Sequence, residues 1–319
     1  MINFFQAARI LLALKFFEKK IFSNFSIQFQ TMIQLKNEQL CIQIHPKGAE
    51  LQSIFHRQHR LEYLWNGNPE YWGKHAPVLF PIVGQLKNNS YSYQDKNYSL
   101  PRHGFARDLV FDLVQSDETA VTFELKSNES TLQAYPFHFS FQIKYTVIGN
   151  QLINEYLVQN TGDELMLFSV GGHPAFKVPL LEGSNYTDYY LALEQEETLA
   201  RWPLQDGLLK THAEPFLKEQ KIIPLSHQLF ANDAVVLKQL QSTFISLKSH
   251  RTRHGLTMHF EGFPYFGIWA AKEAPFVCLE PWCGIADSLY HDGALANKEG
   301  IIQLGTQETW KKSWRVEVF

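Results

Sequence analysis

The chain has 319 residues, of which 45% are hydrophobic and 14% aromatic, and its formal net charge is −3. That charge excludes a whole-chain electrostatic attraction to nucleic acid or to an anionic membrane, so neither is an expected partner. The 25 Phe and 13 Tyr residues favour pleated, half-buried strands over helix bundles, and we therefore expect an all-β fold.

Residues 1–31 differ from the rest of the chain, because basic residues there interrupt a strongly apolar segment. The longest uncharged apolar run, residues 10–14, is far shorter than the ~20 residues of a membrane span, and no signal-peptide cleavage site follows it. The segment is either a short amphipathic helix, packed on the domain or on a membrane surface, or a leader before a native start at Met32. Stable membrane association is not expected.

From Met32 onward, apolar and polar residues alternate between closely spaced turn sequences, as is typical of a β-sandwich. A first hairpin is predicted around Lys36-Asn37-Glu38, and two longer ones pair residues 110–114 with 120–125 and residues 139–147 with 152–158. Helices are scarce, and the only candidates are residues 129–135 and a short turn near 288–295. No linker, repeat or low-complexity tract divides residues 32–319, so we expect a single domain there.

The three cysteines, Cys41, Cys278 and Cys283, lack the paired spacing of a zinc or redox motif. No other cluster of His, Cys or carboxylate residues has the sequence spacing of metal ligands. We therefore expect free thiols in a reducing, cytoplasmic compartment, without a disulfide, a metal or another cofactor.

Glu280 places a carboxylate directly after the apolar run at residues 276–279. Pro281 is expected to end this strand, because proline cannot donate a hydrogen bond to a sheet ladder. Burial beside Trp282 should raise the pKa of Glu280, as a general base requires. The alternative is a carboxylate that caps a turn or pairs with an arginine.

Two other segments place polar groups beside Gly or Pro. They are Pro101-Arg-His103-Gly-Phe-Ala-Arg107-Asp108 and Gly171-Gly-His173-Pro-Ala-Phe176. Glycine lets a ligand approach the backbone closely. Alone, each segment fits a structural histidine or a surface ion pair. Aromatic residues recur around them, and such rings either stack on the apolar faces of sugars or belong to the core.

Together, these motifs resemble those of the aldose 1-epimerase (galactose mutarotase) family, and more closely its LacX-like branch. The further matching motifs are Tyr71-Trp72 and Ala76-Pro-Val-Leu-Phe80-Pro81. The resemblance implies a mostly antiparallel β-supersandwich with few short helices, whose cleft binds a pyranose without a cofactor. It also implies roles for individual residues, with His173 as general acid, Glu280 as general base, and His103, Arg107, Asp233 and Trp282 as substrate-binding residues.

The function implied by this resemblance is interconversion of the α and β anomers of a free aldose by acid–base ring opening and closure. One departure puts galactose in question, because the family usually has an arginine where the chain has Gly84-Gln85. The alternatives are a hexose-phosphate mutarotase, with Arg107, Lys87 and Lys272 as phosphate ligands, and a non-catalytic carbohydrate-binding protein. A glycoside hydrolase is disfavoured, since it ordinarily needs two carboxylates and only Glu280 lies in a convincing motif.

Overall fold

The computed structural model describes residues 31–319, which fold mainly into β-strands and tight turns. The N-terminal segment predicted for residues 1–31 therefore lies outside the described residues, except for its last residue. Within the described part, no helix is long and apolar enough to cross a membrane.

The strands of residues 31–319 are β1 (Ile33–Lys36), β2 (Leu40–His45), β3 (Glu50–His56), β4 (Leu61–Glu62), β5 (Val78–Leu79), β6 (Ser90–Tyr93), β7 (Lys96–Ser99), β8 (Asp112–Ser116), β9 (Ala120–Lys126), β10 (Phe139–Ile148), β11 (Gln151–Asn160), β12 (Met166–Phe168), β13 (Val170–Gly172), β14 (Ala175–Lys177), β15 (Tyr189–Arg201), β16 (Leu204–Gln205), β17 (Leu208–Leu209), β18 (Glu214–Pro224), β19 (Val235–Lys238), β20 (Phe244–Ser249), β21 (Leu256–His259), β22 (Tyr265–Trp269), β23 (Phe276–Cys283), β24 (Ile302–Leu304) and β25 (Thr309–Val318). The one α-helix of this part is α1 (Glu129–Ala134), and the short 3-10 helices are Lys87–Asn89, Ala106–Asp108, Tyr186–Asp188, His227–Phe230 and Leu295–Asn297.

A 15-stranded sheet dominates the described chain, with the order β5-β13-β23-β22-β19-β15-β20-β21-β25-β11-β10-β9-β8, while β14 pairs with β23 and β18 with β15. Strands β1 to β4 form a separate four-stranded sheet. The strand pairs in both sheets are antiparallel. The predicted all-β, mostly antiparallel fold with few short helices is confirmed.

The hairpins follow the predicted alternation. Strand β10 pairs with β11 from Phe139 opposite Asn160 to Ile148 opposite Gln151. Its apolar residues point alternately into the core, where Phe141 stacks on Phe80 with ring centroids 4.4 Å apart. Such alternation buries one face of each strand and leaves the other face wetter.

The predicted helix at residues 129–135 is present as α1. Asn128 caps it, since its side chain accepts hydrogen bonds from the backbone N–H groups of Ser130 and Thr131, and the hydroxyl oxygen of Thr131 accepts the backbone N–H of Asn128. The short turn predicted near 288–295 is present at residues 289–290, and the helical turn that follows is the 3-10 helix Leu295–Asn297.

The prediction that Pro281 ends its strand is also wrong, because β23 continues through it to Cys283. On one side, Pro281 lies opposite Phe266 of β22. On the other side of β23, which faces β13 and β14, the backbone N–H of Leu279 donates to the carbonyl of Pro174. Pro281 is two residues further along the strand, so its nitrogen faces this same side. The ladder on that edge is interrupted between β13 and β14, and a missing N–H therefore breaks no sheet hydrogen bond there.

Candidate active site

The interruption between β13 and β14 places His173 against Glu280. Strand β23 pairs with β14 at Cys278 opposite Ala175, and with β13 at Trp282 opposite Gly171. The register is the same on both sides of the gap, so His173 lies directly opposite Glu280. Two motifs that are far apart in the sequence thus become one cross-strand pair.

The two side chains are buried and in contact. The Nε2 atom of His173 is 3.2 Å from the Oε2 atom of Glu280, and the two residues are 8% and 1% exposed. The contact is not aligned as a hydrogen bond, since Glu280 Oε2 has no hydrogen-bond partner among the described residues, nor has Nδ1 of His173. Buried polar atoms without partners are rare in folded proteins, and they indicate a place for a ligand or water.

Burial sets the proton affinity of both groups. It raises the pKa of the Glu280 carboxyl well above its ordinary value, and it lowers the pKa of the His173 imidazole to about 3. Both shifts disfavour the charged forms of the two groups. The predicted upward shift of the Glu280 pKa is therefore present. Among the described residues, Glu280 forms an ion-pair contact with His173 and none with an arginine.

Two tryptophans hold the His173 ring. Trp72 stacks on it with centroids 4.9 Å apart and planes at 28°, and Trp269 meets it edge-on at 5.6 Å. Both indoles are partly exposed and line the same cavity as His173. They fix the imidazole in place and offer flat apolar surface to a bound molecule.

Trp282 lies flat on the sheet because both neighbouring strands have glycine beside it. A Cβ atom on Gly171 of β13 would approach the indole to 2.7 Å, and one on Gly267 of β22 to 2.4 Å. Any other residue at these positions would displace the ring. The Nε1 atom of Trp282 is buried without a hydrogen-bond partner within residues 31–319.

His103 enters the site from the turn before the 3-10 helix Ala106–Asp108. Its backbone is left-handed, with φ +67°, which is uncommon for a residue with a side chain. Its Nδ1 atom accepts a hydrogen bond from the N–H of Gly84 at 3.1 Å. The proton of the neutral ring must therefore lie on Nε2, and burial lowers the pKa of His103, which keeps the ring neutral.

Two arginines form one wall of the cavity. Arg102 donates from Nε and Nη2 to Oε1 of Gln85 at 3.1 and 2.8 Å. Arg107 donates from Nη2 to the carbonyl of Arg102 at 2.7 Å, while its Nε atom is buried without a hydrogen-bond partner in the described chain. The predicted surface pair with Asp108 is loose, at 3.8 Å. Both guanidinium groups therefore keep donors for a ligand.

The side chains described above line one cavity of about 450 Å³. All six predicted site residues line it: His103, Arg107, His173, Asp233, Glu280 and Trp282. Asp233 comes from the turn before β19 and has a left-handed backbone with φ +82°. The volume falls within the ~300–1,000 Å³ of small-molecule sites.

A buried ion pair supports the floor of this cavity from behind. Nζ of Lys298 lies 2.8 Å from Oδ1 of Asp287, and both side chains are at most 1% exposed. The second carboxylate oxygen accepts the N–H of Lys87, and the N–H of Asp287 donates to the carbonyl of Gln85. The pair therefore fixes the loop that carries Gly84 and Gln85.

A larger depression of about 650 Å³ lies over β21 and β25, and several of its charged groups already have partners. Lys311 faces Glu155 at 3.6 Å, and Arg315 contacts the ring of His259 at 3.3 Å. It contains no close carboxylate–imidazole pair among its lining residues. We therefore assign the candidate active site to the smaller cavity.

Sequence reasoning missed four contributors. It gave no role to Arg102 or Gln85, although an arginine directly before a histidine in a Gly-rich turn was a signal. It gave no role to Gly267, although an isolated glycine within a strand indicates close approach of another group. It also missed Cys278, whose Sγ atom and the ligand atoms of His173 and Glu280 all lie within 4.8 Å of one another.

Lys87 and Lys272, which were predicted as possible phosphate ligands, do not line the cavity. Nζ of Lys87 donates to the carbonyl of His291 at 2.9 Å, outside the cavity. Lys272 is exposed in the turn between β22 and β23. Arg107 is the only one of the three predicted cations at the site.

The fold and this cavity define an antiparallel β-sandwich protein with a buried histidine–glutamate pair at its cleft. The chain belongs to the aldose 1-epimerase family, whose model matches residues 31–314. It is 37% identical over 297 residues to the chromosomal LacX protein of Lactococcus lactis subsp. lactis, an alignment that covers 90% of this chain and 99% of that protein.

Two crystal structures are similar to the described fold. One is a galactose mutarotase related enzyme from Lactobacillus acidophilus, with a TM-score of 0.88, 35% identity, and coverage of 91% of this chain and 97% of that one. The other is a galactose mutarotase-like protein from Lactobacillus casei ATCC 334, with a TM-score of 0.86, 31% identity, and coverage of 91% and 100%. The implied β-supersandwich and the resemblance to the LacX-like branch are confirmed.

Proposed function

We propose that this protein is a mutarotase that interconverts the α and β anomers of an aldose. The observation that carries the proposal is the buried His173–Glu280 pair, with 3.2 Å between its nearest atoms, at a cavity also lined by tryptophans and arginines. Membership of the aldose 1-epimerase family supports the same reaction.

The reaction needs one proton removed from the anomeric hydroxyl and one given to the ring oxygen. Glu280 takes the first and His173 gives the second, so the ring C1–O bond breaks and an open-chain aldehyde forms. Rotation about the bond between C1 and C2 exposes the opposite face of the carbonyl. The ring then closes while the two groups exchange roles.

The pair starts with one proton, because the shifted pKa values place it on Glu280 and leave His173 neutral. Transfer of that proton within the pair gives the carboxylate and imidazolium that the forward reaction needs. Hydrogen bonds from the hydroxyls of a bound sugar stabilise this charged form. Substrate binding thus activates the pair.

The remaining predicted residues position the sugar in this proposal. His103 donates from Nε2 to a hydroxyl oxygen, because its Nδ1 already accepts the N–H of Gly84. Arg107 donates to further hydroxyl oxygens, and Asp233 accepts from a hydroxyl. Trp282 provides the flat surface under the ring.

A second candidate substrate is a sugar phosphate. The observation that favours it is the pair of guanidinium groups of Arg102 and Arg107 on one wall of the cavity. Arginine binds phosphate oxygens with paired N–H donors. A panel of aldoses and aldose 6-phosphates, measured by saturation-transfer NMR, distinguishes the two substrates.

The decisive experiment replaces Glu280 with Gln, which keeps the shape of the side chain but cannot take a proton. Anomer interconversion should fall by about 10²-fold or more while sugar binding persists, as expected for the loss of a general base. The matched control is Glu273→Gln, because Glu273 is 68% exposed and is absent from the cavity lining. Near-normal interconversion by Glu280→Gln on every accepted sugar refutes the proposal. Sugar binding by the wild type without any rate enhancement indicates the non-catalytic alternative.

A further inference from the structure

Cys278 lies behind the His173–Glu280 pair on the same strand as Glu280. Residues two apart in a strand point to the same face, so the thiol and the carboxylate of β23 lie side by side. His173 reaches them from the gap between β13 and β14. The ligand atoms of the three residues all lie within 4.8 Å of one another, and all three residues are buried.

The distances fit a small tetrahedral ion. Bonds of about 2.0–2.3 Å to nitrogen, oxygen and sulfur place the ligands of one Zn²⁺ roughly 3.3–3.8 Å apart. The His173–Glu280 separation of 3.2 Å is already close to that value. The thiol of Cys278 needs a shift of at most about 1 Å, which side-chain rotation can provide.

The ligand atoms are also available. Oε2 of Glu280, on a side chain that is 2% exposed, has no hydrogen-bond partner within residues 31–319, and Cys278 is a free cysteine. His173 and Glu280 line the cavity, which provides a path for an ion from solvent. Three protein ligands leave the fourth tetrahedral position open toward that cavity.

We propose that His173, Cys278 and Glu280 form a binding site for a thiophilic divalent cation of the zinc class, and that the bound cation excludes the sugar reaction. A thiolate, an imidazole and a carboxylate are together a ligand set that favours Zn²⁺ over Mg²⁺ or Ca²⁺. The thiol, and the carboxyl where it is protonated, release their protons to solvent on binding. No electron transfer is involved.

Zinc should inhibit the sugar reaction, because the cation site and the proposed reaction use the same two side chains, His173 and Glu280. A cation on His173 and Glu280 removes the acid and the base together, so zinc should raise the apparent KM for sugar and leave the extrapolated kcat unchanged. This half of the proposal rests on the proposed function, whereas cation binding itself does not. A chelator should leave the activity unchanged or increase it.

The test titrates tag-free protein with Co²⁺ and with Zn²⁺. Co²⁺ should give a thiolate-to-metal charge-transfer band in the near ultraviolet, and calorimetry should give one Zn²⁺ per chain. Cys278→Ser should abolish the band and weaken Zn²⁺ binding by at least about tenfold, since a hydroxyl is a poor ligand for this class of ion. Cys283→Ser is the matched control, because Cys283 is also a buried cysteine of β23 but lies outside the cluster.

Glu280→Gln and His173→Asn provide independent variants, and each should weaken Zn²⁺ binding even if Cys278→Ser does not fold. A wild-type protein without the charge-transfer band, or a band that survives Cys278→Ser, overturns the proposal. A mutarotase that binds no Zn²⁺ contradicts the cation site alone. A protein that binds Zn²⁺ but does not interconvert anomers contradicts the proposed function alone.

Discussion

His173 and Glu280 hold a single proton over a wide range of pH, because burial shifts their pKa values in opposite directions. The pair gains a second proton only as the pH falls toward the His173 pKa of about 3. It loses its one proton only as the pH rises through the raised pKa of Glu280. Such apparent values belong to the pair and not to either residue.

The pH profile of kcat/KM, which reports the pKa values of the free enzyme, should therefore have a broad plateau. Activity should decline on the acid side where the doubly protonated pair has no base, and on the alkaline side where the unprotonated pair has no acid. Initial rates of anomer interconversion from about pH 4 to about pH 10 measure this profile. Circular dichroism verifies that the protein stays folded over that range. A sharp decline on the acid side near pH 6.5, the ordinary value for histidine, contradicts the assigned state of His173.

The His173–Glu280 pair should behave as one unit in a double-mutant cycle. Glu280→Gln and His173→Asn each break the same coupled proton transfer, so the second substitution has little left to remove. The double variant should be impaired about as much as either single variant, roughly 10²-fold, and not by the product of the two effects. Multiplicative losses in kcat would show that the two residues act independently.

Arg102 allows a residue-level test of substrate choice. If the substrate carries a phosphate, Arg102→Gln should raise KM for the aldose phosphate by at least about tenfold, through the loss of a charge-assisted contact. The KM for the matching neutral aldose should change little. Equal changes in both KM values would assign Arg102 to the support of Gln85 and not to the ligand.

At the scale of elements, the loop that carries Gly84 and Gln85 depends on the buried Lys298–Asp287 pair. Asp287→Asn leaves Lys298 charged and unpaired, which should destabilise the fold by about 3–5 kcal/mol. Urea unfolding measures the change. The control is Glu155→Gln at the exposed pair with Lys311, which should cost less than about 1 kcal/mol. Equal costs for the two variants would contradict a supporting role for the buried pair.

Local pattern in the sequence was sufficient for the hairpins, because their strands are neighbours both in the sequence and in the sheet. The alternation in β10 indicated which face is buried, and the turn at Gly149-Asn150 positioned β11 beside it. The motifs of His173 and Glu280 also identified the cavity, since Gly and Pro mark the places where a ladder opens.

The continuation of β23 through Pro281 was not predictable in this way. It depends on the gap between β13 and β14, about a hundred residues earlier in the chain, and local propensity carries no information on such a partner. For the same reason, the sequence did not reveal that Cys278 joins His173, or that Arg102 lies on the cavity wall. Long-range register determines these contacts.

At the scale of the whole molecule, buried histidines link stability to pH. Burial lowers the pKa of His56, His103 and His173, so the folded chain binds fewer protons at these residues than the unfolded chain does below pH ~6.5. Stability should therefore fall as the pH decreases through that value, by at most about 1.4 kcal/mol per pH unit for each proton. The raised pKa of Glu280 acts in the opposite direction and offsets about one of these protons.

Urea unfolding midpoints at pH 7 and pH 5 test this linkage. His56→Asn should reduce the loss of stability between the two conditions, because Asn can still accept the N–H of His59 that now bonds to Nδ1 of His56. His212→Asn is the control, since His212 is exposed in the folded chain. A pH dependence that is the same in both variants would show that His56 takes no part in the linkage.

Strand β25 lies inside the large sheet, between β21 and β11, and not at its edge. During translation, β11 is made long before its partner, and the sheet cannot be completed until residue 318 has been synthesised. The nascent chain therefore exposes the unpaired edges of β11 and β21 until then, and such edges pair readily with other chains. Recovery of folded protein should thus depend on chaperones that shield nascent strands, and less on the rate of synthesis of the first half of the chain.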